Sequence, residues 1–115
     1  MSDPTIEQHF EGKQPVVRDI YDRLLVVSRQ FGYVGEDPKK TSIHLNRNSA
    51  FAGVRTQATS IVLTVKSPTD IESPRVNNRQ KASANRWYCY IKVSTPDEVD
   101  DELIGWLKNS YDLSA

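Results

Sequence analysis

Apolar residues recur along this chain at two different spacings, and the switches between them mark out its elements. Between Pro15 and Phe31 they fall at steps of three and four (Val17, Ile20, Leu24, Val27, Phe31), with Leu25 widening the stripe and Gly32 as the stop. That spacing predicts an amphipathic helix over 15–31. Its polar face sets Asp19 against Arg23 and Asp22 against Arg18 at i,i+4 spacing. Ahead of it, Thr5-Ile6-Glu7-Gln8 has the form of a capping box opening a short first helix that Gly12 ends. Gly35-Glu36-Asp37-Pro38 is expected as a turn. From residue 41 the period shortens to two. Ile43 and Leu45 alternate with Ser42, His44 and Asn46, Ala50 to Thr56 follows as a second strand, and Ser60 to Lys66 places Ile61, Leu63 and Val65 on one face. In the second strand Phe51 and Val54 differ in parity, so Gly53 is expected to mark a bulge. The connections are short, which makes these three strands antiparallel neighbours.

The most apolar stretch is Trp87 to Tyr111. Its first part reads as a strand with Trp87, Cys89, Ile91 and Val93 facing inward. Thr95-Pro96-Asp97-Glu98 is a second capping box, opening a helix over 98–111 whose stripe is Val99, Leu103, Trp106, Leu107 and Tyr111. Between the strands, 67–86 breaks the pattern: twenty residues with three Asn, two Pro and almost no apolar periodicity. Loops of that length are functional or disordered, so 67–86 is expected as a long basic arm carrying Arg75, Arg79, Lys81 and Arg86. The resulting order predicts a single α+β domain over 1–115. It has two layers, an antiparallel four-stranded sheet with the N-terminal and C-terminal helices packed on one face. The other face, carrying Ser42, His44, Val62, Thr64, Tyr88, Tyr90 and Lys92, is left to water or a partner.

Length supports that picture, since 115 residues bury a core without metal or disulfide. The single cysteine, Cys89, allows no intrachain disulfide and fits a reducing compartment, so the cytoplasm is expected. No apolar run approaches the roughly 18–20 residues of a membrane helix. The start MSDPTIEQ is polar and acidic, and the mature chain is expected to begin near Met1. The net charge is zero but unevenly spread. Residues 1–37 hold seven acidic and four basic side chains, 38–93 hold ten basic and only Asp70 and Glu72, and 94–115 hold six acidic and one basic. A basic middle between acidic ends is either a phosphate-binding surface or a set of strands neutralised by acidic helices.

Little in the residue types announces chemistry. His9, His44 and Cys89 lack metal-ligand spacing, so no metal or cofactor is expected. Asp97, Glu98, Asp100, Asp101 and Glu102 crowd a helix start, where they complement the dipole without further purpose. The one Glu-x-Lys, Glu11-Gly12-Lys13, ends a helix instead of sitting on a strand, which argues against a metal-dependent nuclease. There is no phosphate loop and no nucleophile elbow. The sharper signal is Tyr88-x-Tyr90-x-Lys92 on one strand face, with Arg47, Arg55 and Lys66 in neighbouring strands and Arg86 beside it. Sheet-based modules stack single-stranded bases on such aromatics and neutralise phosphates with interleaved cations.

The segments TIEQHFEGKQP, PKKTSIHLNRNSAFAGVR and VSTPDEVDDELIGWLKNSYD together resemble a small bacterial domain family of unknown function. Its members occur alone or at the C-terminus of longer proteins, some labelled predicted transport proteins and some associated with restriction-type endonucleases. The resemblance rests on Lys39 and Lys40 before the first strand, Phe51 in the second, and Asp-x-x-Asp-x-Glu-Leu-x-x-Trp-Leu from Asp97 to Leu107. It implies the fold and carries over no catalytic residue. The expected function is a cytoplasmic, non-enzymatic binding module, a monomer or homodimer, using Tyr88, Tyr90, Lys92, Arg47, Arg55, Lys66 and Arg86. One alternative is a nucleic-acid-binding accessory domain on the basic sheet face. Another is a small-molecule carrier or sensor with a pocket between helix 15–31 and the sheet, lined by Tyr21, Phe51 and Trp106.

Overall fold

A computed structural model describes residues 3–115, so the expected start of the mature chain near Met1 lies outside the described residues. The chain forms an α+β fold in which helices α1 (Pro15–Arg29) and α2 (Asp101–Asp112) cover one face of an antiparallel sheet. The sheet has six strands, not four: β1 (Gly35–Pro38), β2 (Ile43–Asn46), β3 (Ala50–Thr56), β4 (Ile61–Ser67), β5 (Val76–Ser83) and β6 (Arg86–Val93), in the order β1-β2-β3-β4-β6-β5. The three central strands are antiparallel neighbours, as their short turns require.

Both additional strands lie at the edges. Gly35–Pro38 pairs with β2 instead of forming a free turn, and Pro38 is tolerated there because an edge strand leaves one side of its backbone unpaired. The expected arm 67–86 contains β5, which folds back on β6 through a two-residue turn at Ala84 and Asn85. Only Val76 of β5 is buried, and Asn77 to Ser83 are exposed. A strand held by backbone pairing beyond the reach of the helices has no reason to show apolar alternation. Arg75 and Arg79 are likewise fixed. The Arg75 guanidinium donates to Asp100 at 2.9 Å, to Glu102 at 3.1 Å and to the Glu98 carbonyl at 2.6 Å, over the Trp106 ring. Arg79 pairs with Asp70 at 2.7 Å.

The core is the inward parity of the strands closed by the helix stripes. Ile43, Leu45, Val54, Ile61, Leu63, Val65, Cys89, Ile91 and Val93 meet Val17, Ile20, Tyr21, Leu24 and Val27 of α1 and Leu103, Leu107 and Tyr111 of α2. Both sequence-predicted capping boxes form. Thr5 and Gln8 bond reciprocally to each other's amides, and the Ser94 and Thr95 amides donate to Glu98 Oε1 at 2.9 and 3.1 Å. The second box closes only one 3-10 turn, and a further cap, Asp100 accepting from the Leu103 amide at 3.1 Å, starts α2 three residues later than expected.

A bulge is present, at Phe51 and not at Gly53. Leu45 pairs with Ala52 and Asn46 with Ala50, so Phe51 is the extra residue and turns inward beside Ala52. Where β3 and β4 part beyond the Ala52–Val65 pair, Ser110 of α2 fills the gap. Its hydroxyl donates to the Phe51 carbonyl and accepts from the Lys66 amide at 2.9 Å. One turn on, the Ser114 hydroxyl accepts a hydrogen bond from Lys66 Nζ at 3.0 Å, and its carbonyl accepts from the Asn48 and Ser49 amides.

Candidate functional site

The face of the sheet opposite the helices is uncovered. Strand register places Asp37, His44, Gly53, Thr64, Tyr90 and Asn78 in one row across all six strands. On one side of this row lie Asn46, Ala50, Lys66, Tyr88 and Gln80, and on the other Arg55, Val62 and Lys92. Small residues occupy the middle, at Ala50, Gly53 and Thr64, while larger ones stand around them. The result is a trough of about 470 Å³, with His44, Arg55, Lys66, Tyr88 and Tyr90 among its walls. Gly53 lies in its floor. A Cβ there would meet only Thr64, at 3.4 Å.

Of the seven residues singled out from the sequence, Tyr88, Tyr90, Arg55 and Lys66 line this trough. Lys92 and Arg86 share their face at opposite ends of β6. Arg47 is elsewhere: it donates to the Tyr111 carbonyl at 3.2 Å and lies 4.5 Å from the Tyr111 ring centroid, fastening the end of α2 to the β2–β3 turn. The tyrosines and Arg55, Lys66, Arg86 and Lys92 share the open face, but the floor had no signal in the sequence, because a glycine attracts notice as a turn or bulge, not as an absence of side chain. His44 was legible only as an outward strand residue, and its place beside Asp37 follows from β1, which was not anticipated.

Electrostatics divides the basic middle of the chain in two. Arg75, Arg79 and Lys39 are neutralised by Asp100 and Glu102, by Asp70 and by Asp37. Arg55, Lys66, Arg86 and Lys92 form no ion pair among the described residues. No carboxylate lines the trough. Burial, with the nearby Arg86 charge, pushes the Lys66 ammonium below the usual lysine value. Asp37, at the β1 end of the central row, is held below the ordinary carboxylate value chiefly by its hydrogen bond with Lys39.

The residues expected to line a pocket between α1 and the sheet, Tyr21, Phe51 and Trp106, all belong to or border the hydrophobic core. Tyr21 and Phe51 are fully buried, and Trp106 sits at the rim beneath Arg75. Cys89 is buried in the same core. His9 is engaged with the Lys39 carbonyl at 2.7 Å. Among the described residues no group of three His, Cys, Asp or Glu side chains is placed to hold a metal ion, and no helix is long and apolar enough to cross a membrane.

Comparison with curated proteins and with solved structures gives no match. A family model does match, over residues 6–114: the chain belongs to the family described as domain of unknown function DUF5655.

Proposed function

We propose that this protein is a non-catalytic binding module that takes its ligand in the trough on the open face of the sheet. The observation that carries the reading is the trough itself, a concavity of about 470 Å³ at the centre of an uncovered sheet, within the ordinary size range of ligand sites. Its walls are phenols, hydroxyls and fixed cations, which hold and orient a ligand. A free, buried cysteine fits a reducing compartment such as the cytoplasm.

A second reading, single-stranded nucleic acid as the ligand, is favoured by one specific feature. Arg55, Lys66, Arg86 and Lys92 are unpaired among the described residues and interleave with Tyr88 and Tyr90 on one face, the pairing of stacking surface and phosphate neutralisation that sequence-tolerant binders use. Fluorescence polarisation of short labelled single- and double-stranded oligonucleotides, at low and moderate salt, tests it alongside a Tyr88→Ala/Tyr90→Ala variant. Micromolar binding to single strands that weakens with salt and disappears in the variant is the expected result. Absence of binding at low salt refutes the nucleic-acid reading and leaves the trough to small ligands.

A further inference from the structure

We infer that Lys66 and Arg86 form a phosphate subsite at one end of the trough, so that its ligand is a nucleoside phosphate with the ring over Gly53 and Thr64. The inference rests on the trough being the binding site.

Lys66 pairs with Tyr88, and Arg86 lies two residues before Tyr88 on β6, so the two cations are diagonal neighbours on the open face. In an ordinary ladder that places them roughly 7–8 Å apart at the backbone, within reach of one anion for side chains so long. Neither has a carboxylate partner among the described residues, in contrast to Arg75 and Arg79 nearby in sequence. Lys66 Nζ donates to Ser49 Oγ at 3.2 Å and Ser114 Oγ at 3.0 Å, which fixes the ammonium in place and leaves one of its three protons unused. The Arg86 side chain makes no hydrogen bond among the described residues, leaving its whole donor fork available. Two adjacent like charges, one of them partly desolvated, are unfavourable until an anion lies between them.

The rest of the trough supplies the other half of the ligand. From Lys66 the lining passes to Tyr88 and Tyr90 and then to the floor at Thr64 and Gly53, where the missing side chain leaves room for a planar ring. His44 and Ser42 on the far wall offer donors and acceptors for ring edges. Polarity fixes the direction. The one carboxylate in the central row, Asp37, stands beyond His44, so the anionic end of the ligand belongs at Lys66 and the ring towards His44. Arg55 and Lys92, at the other end of their strands, would meet a further phosphate if the ligand were a chain.

The test is a titration of the 15N-labelled 115-residue chain with the common ribonucleosides, their 5′-monophosphates and a mixed-sequence single-stranded oligonucleotide, followed by amide shifts. The expected result is that a monophosphate moves Gly53, Thr64 and Tyr90 together with Lys66 and Tyr88, and binds at least about tenfold more tightly than its nucleoside. Arg86→Gln should erase that advantage and leave nucleoside affinity unchanged. Arg86 is the variant of choice because Lys66 also fastens the end of α2. An oligonucleotide binding far more tightly than the monophosphate assigns the phosphate to a nucleic acid, and equal affinity assigns it to a free nucleotide. Equal binding of nucleoside and monophosphate, or indifference to Arg86→Gln, overturns the subsite while leaving the trough as a site. Failure of every probe to move any trough amide overturns the trough reading and the subsite with it.

Discussion

Ser110→Ala is the substitution from which the structure predicts most. The Ser110 hydroxyl bridges the β3 and β4 backbones where the bulge at Phe51 parts them, donating to the Phe51 carbonyl and accepting from the Lys66 amide. Its removal orphans both groups, and Ser110 is fully buried, so water does not stand in. A buried polar group left without a partner costs about 1–3 kcal/mol. Counting the carbonyl in mid-range and the half-buried Lys66 amide at about half the low end of that range gives a gross loss of about 2.5 kcal/mol. Alanine's better helix propensity returns about 0.5, leaving a net loss of about 2 kcal/mol. With an unfolding entropy near 2.1 cal/mol/K per residue over 115 residues, that corresponds to a fall in Tm of about 8 °C. Urea denaturation followed by tryptophan fluorescence and far-UV circular dichroism measures it, with Asn109→Ala on the exposed side of the same turn as the control for propensity. A loss no greater than the control's would show that the strands close without the serine and that the helix does not hold the bulge.

Three further outcomes are expected. Gly53→Val should leave stability unchanged or raise it by up to about 1 kcal/mol, since its new Cβ meets only Thr64 at 3.4 Å, while abolishing ligand-induced shifts in the trough; retained binding would place the ligand elsewhere. Tyr21→Phe should cost about 1–2 kcal/mol in chemical denaturation by removing the buried hydroxyl that donates to Glu36 at 2.6 Å. Burial and Glu36 raise the Tyr21 phenol above its ordinary value, so its contribution is complete below about pH 10 and is lost as pH rises further; the variant should show a shallower alkaline loss. Arg75 holds the Asp100 carboxyl below its usual value, so the clamp at the start of α2 is present above about pH 4 and is lost as pH falls through the lowered value. Leu103 amide exchange, corrected for its intrinsic rate, should quicken on acidification, and Arg75→Gln should show the fast rate already at neutral pH; identical rates in the two proteins would remove the clamp from the account.

The parts of the fold that bury apolar side chains were legible in the sequence, and those held by backbone or polar contacts were not. Helix α1 and strands β2, β3, β4 and β6 announce themselves because each lays a stripe against the same core. Strand β5 does not, since its seven residues after Val76 are exposed and its order comes from pairing with β6 and from Arg75 and Arg79 reaching their carboxylates. Strand β1 is four residues ending in proline, a composition shared with a turn, and only its pairing with β2 distinguishes it. The candidate surface was half legible for a related reason. Strand parity shows which side chains share a face, which put Tyr88, Tyr90 and Lys92 together, whereas Arg86 was expected in the long arm and Arg55 and Lys66 only in neighbouring strands. Curvature and register decide which of them surround an empty centre. Arg47 belongs to the turn after β2, where strand parity no longer applies, and it went to Tyr111.

Gly53 is the residue that packing does not explain. It lies in a regular part of the ladder between His44 and Thr64, its φ is not positive, and the bulge falls at Phe51. A glycine in a strand interior weakens the strand by roughly 0.5–1 kcal/mol relative to alanine, and here a Cβ would have met nothing but Thr64. Because it points away from the helices, a side chain at Gly53 would not disturb the core. What its absence provides is depth on the open face, midway between His44 and the Lys66–Tyr88 wall. The buried face behind it is held in register by Ser110 of α2 and by Ser114 just beyond the helix, and the same Ser114 tethers the Lys66 ammonium at the trough's rim. The C-terminal helix and the residues just after it thus close the core on one side of the sheet and tether a wall of the trough on the other.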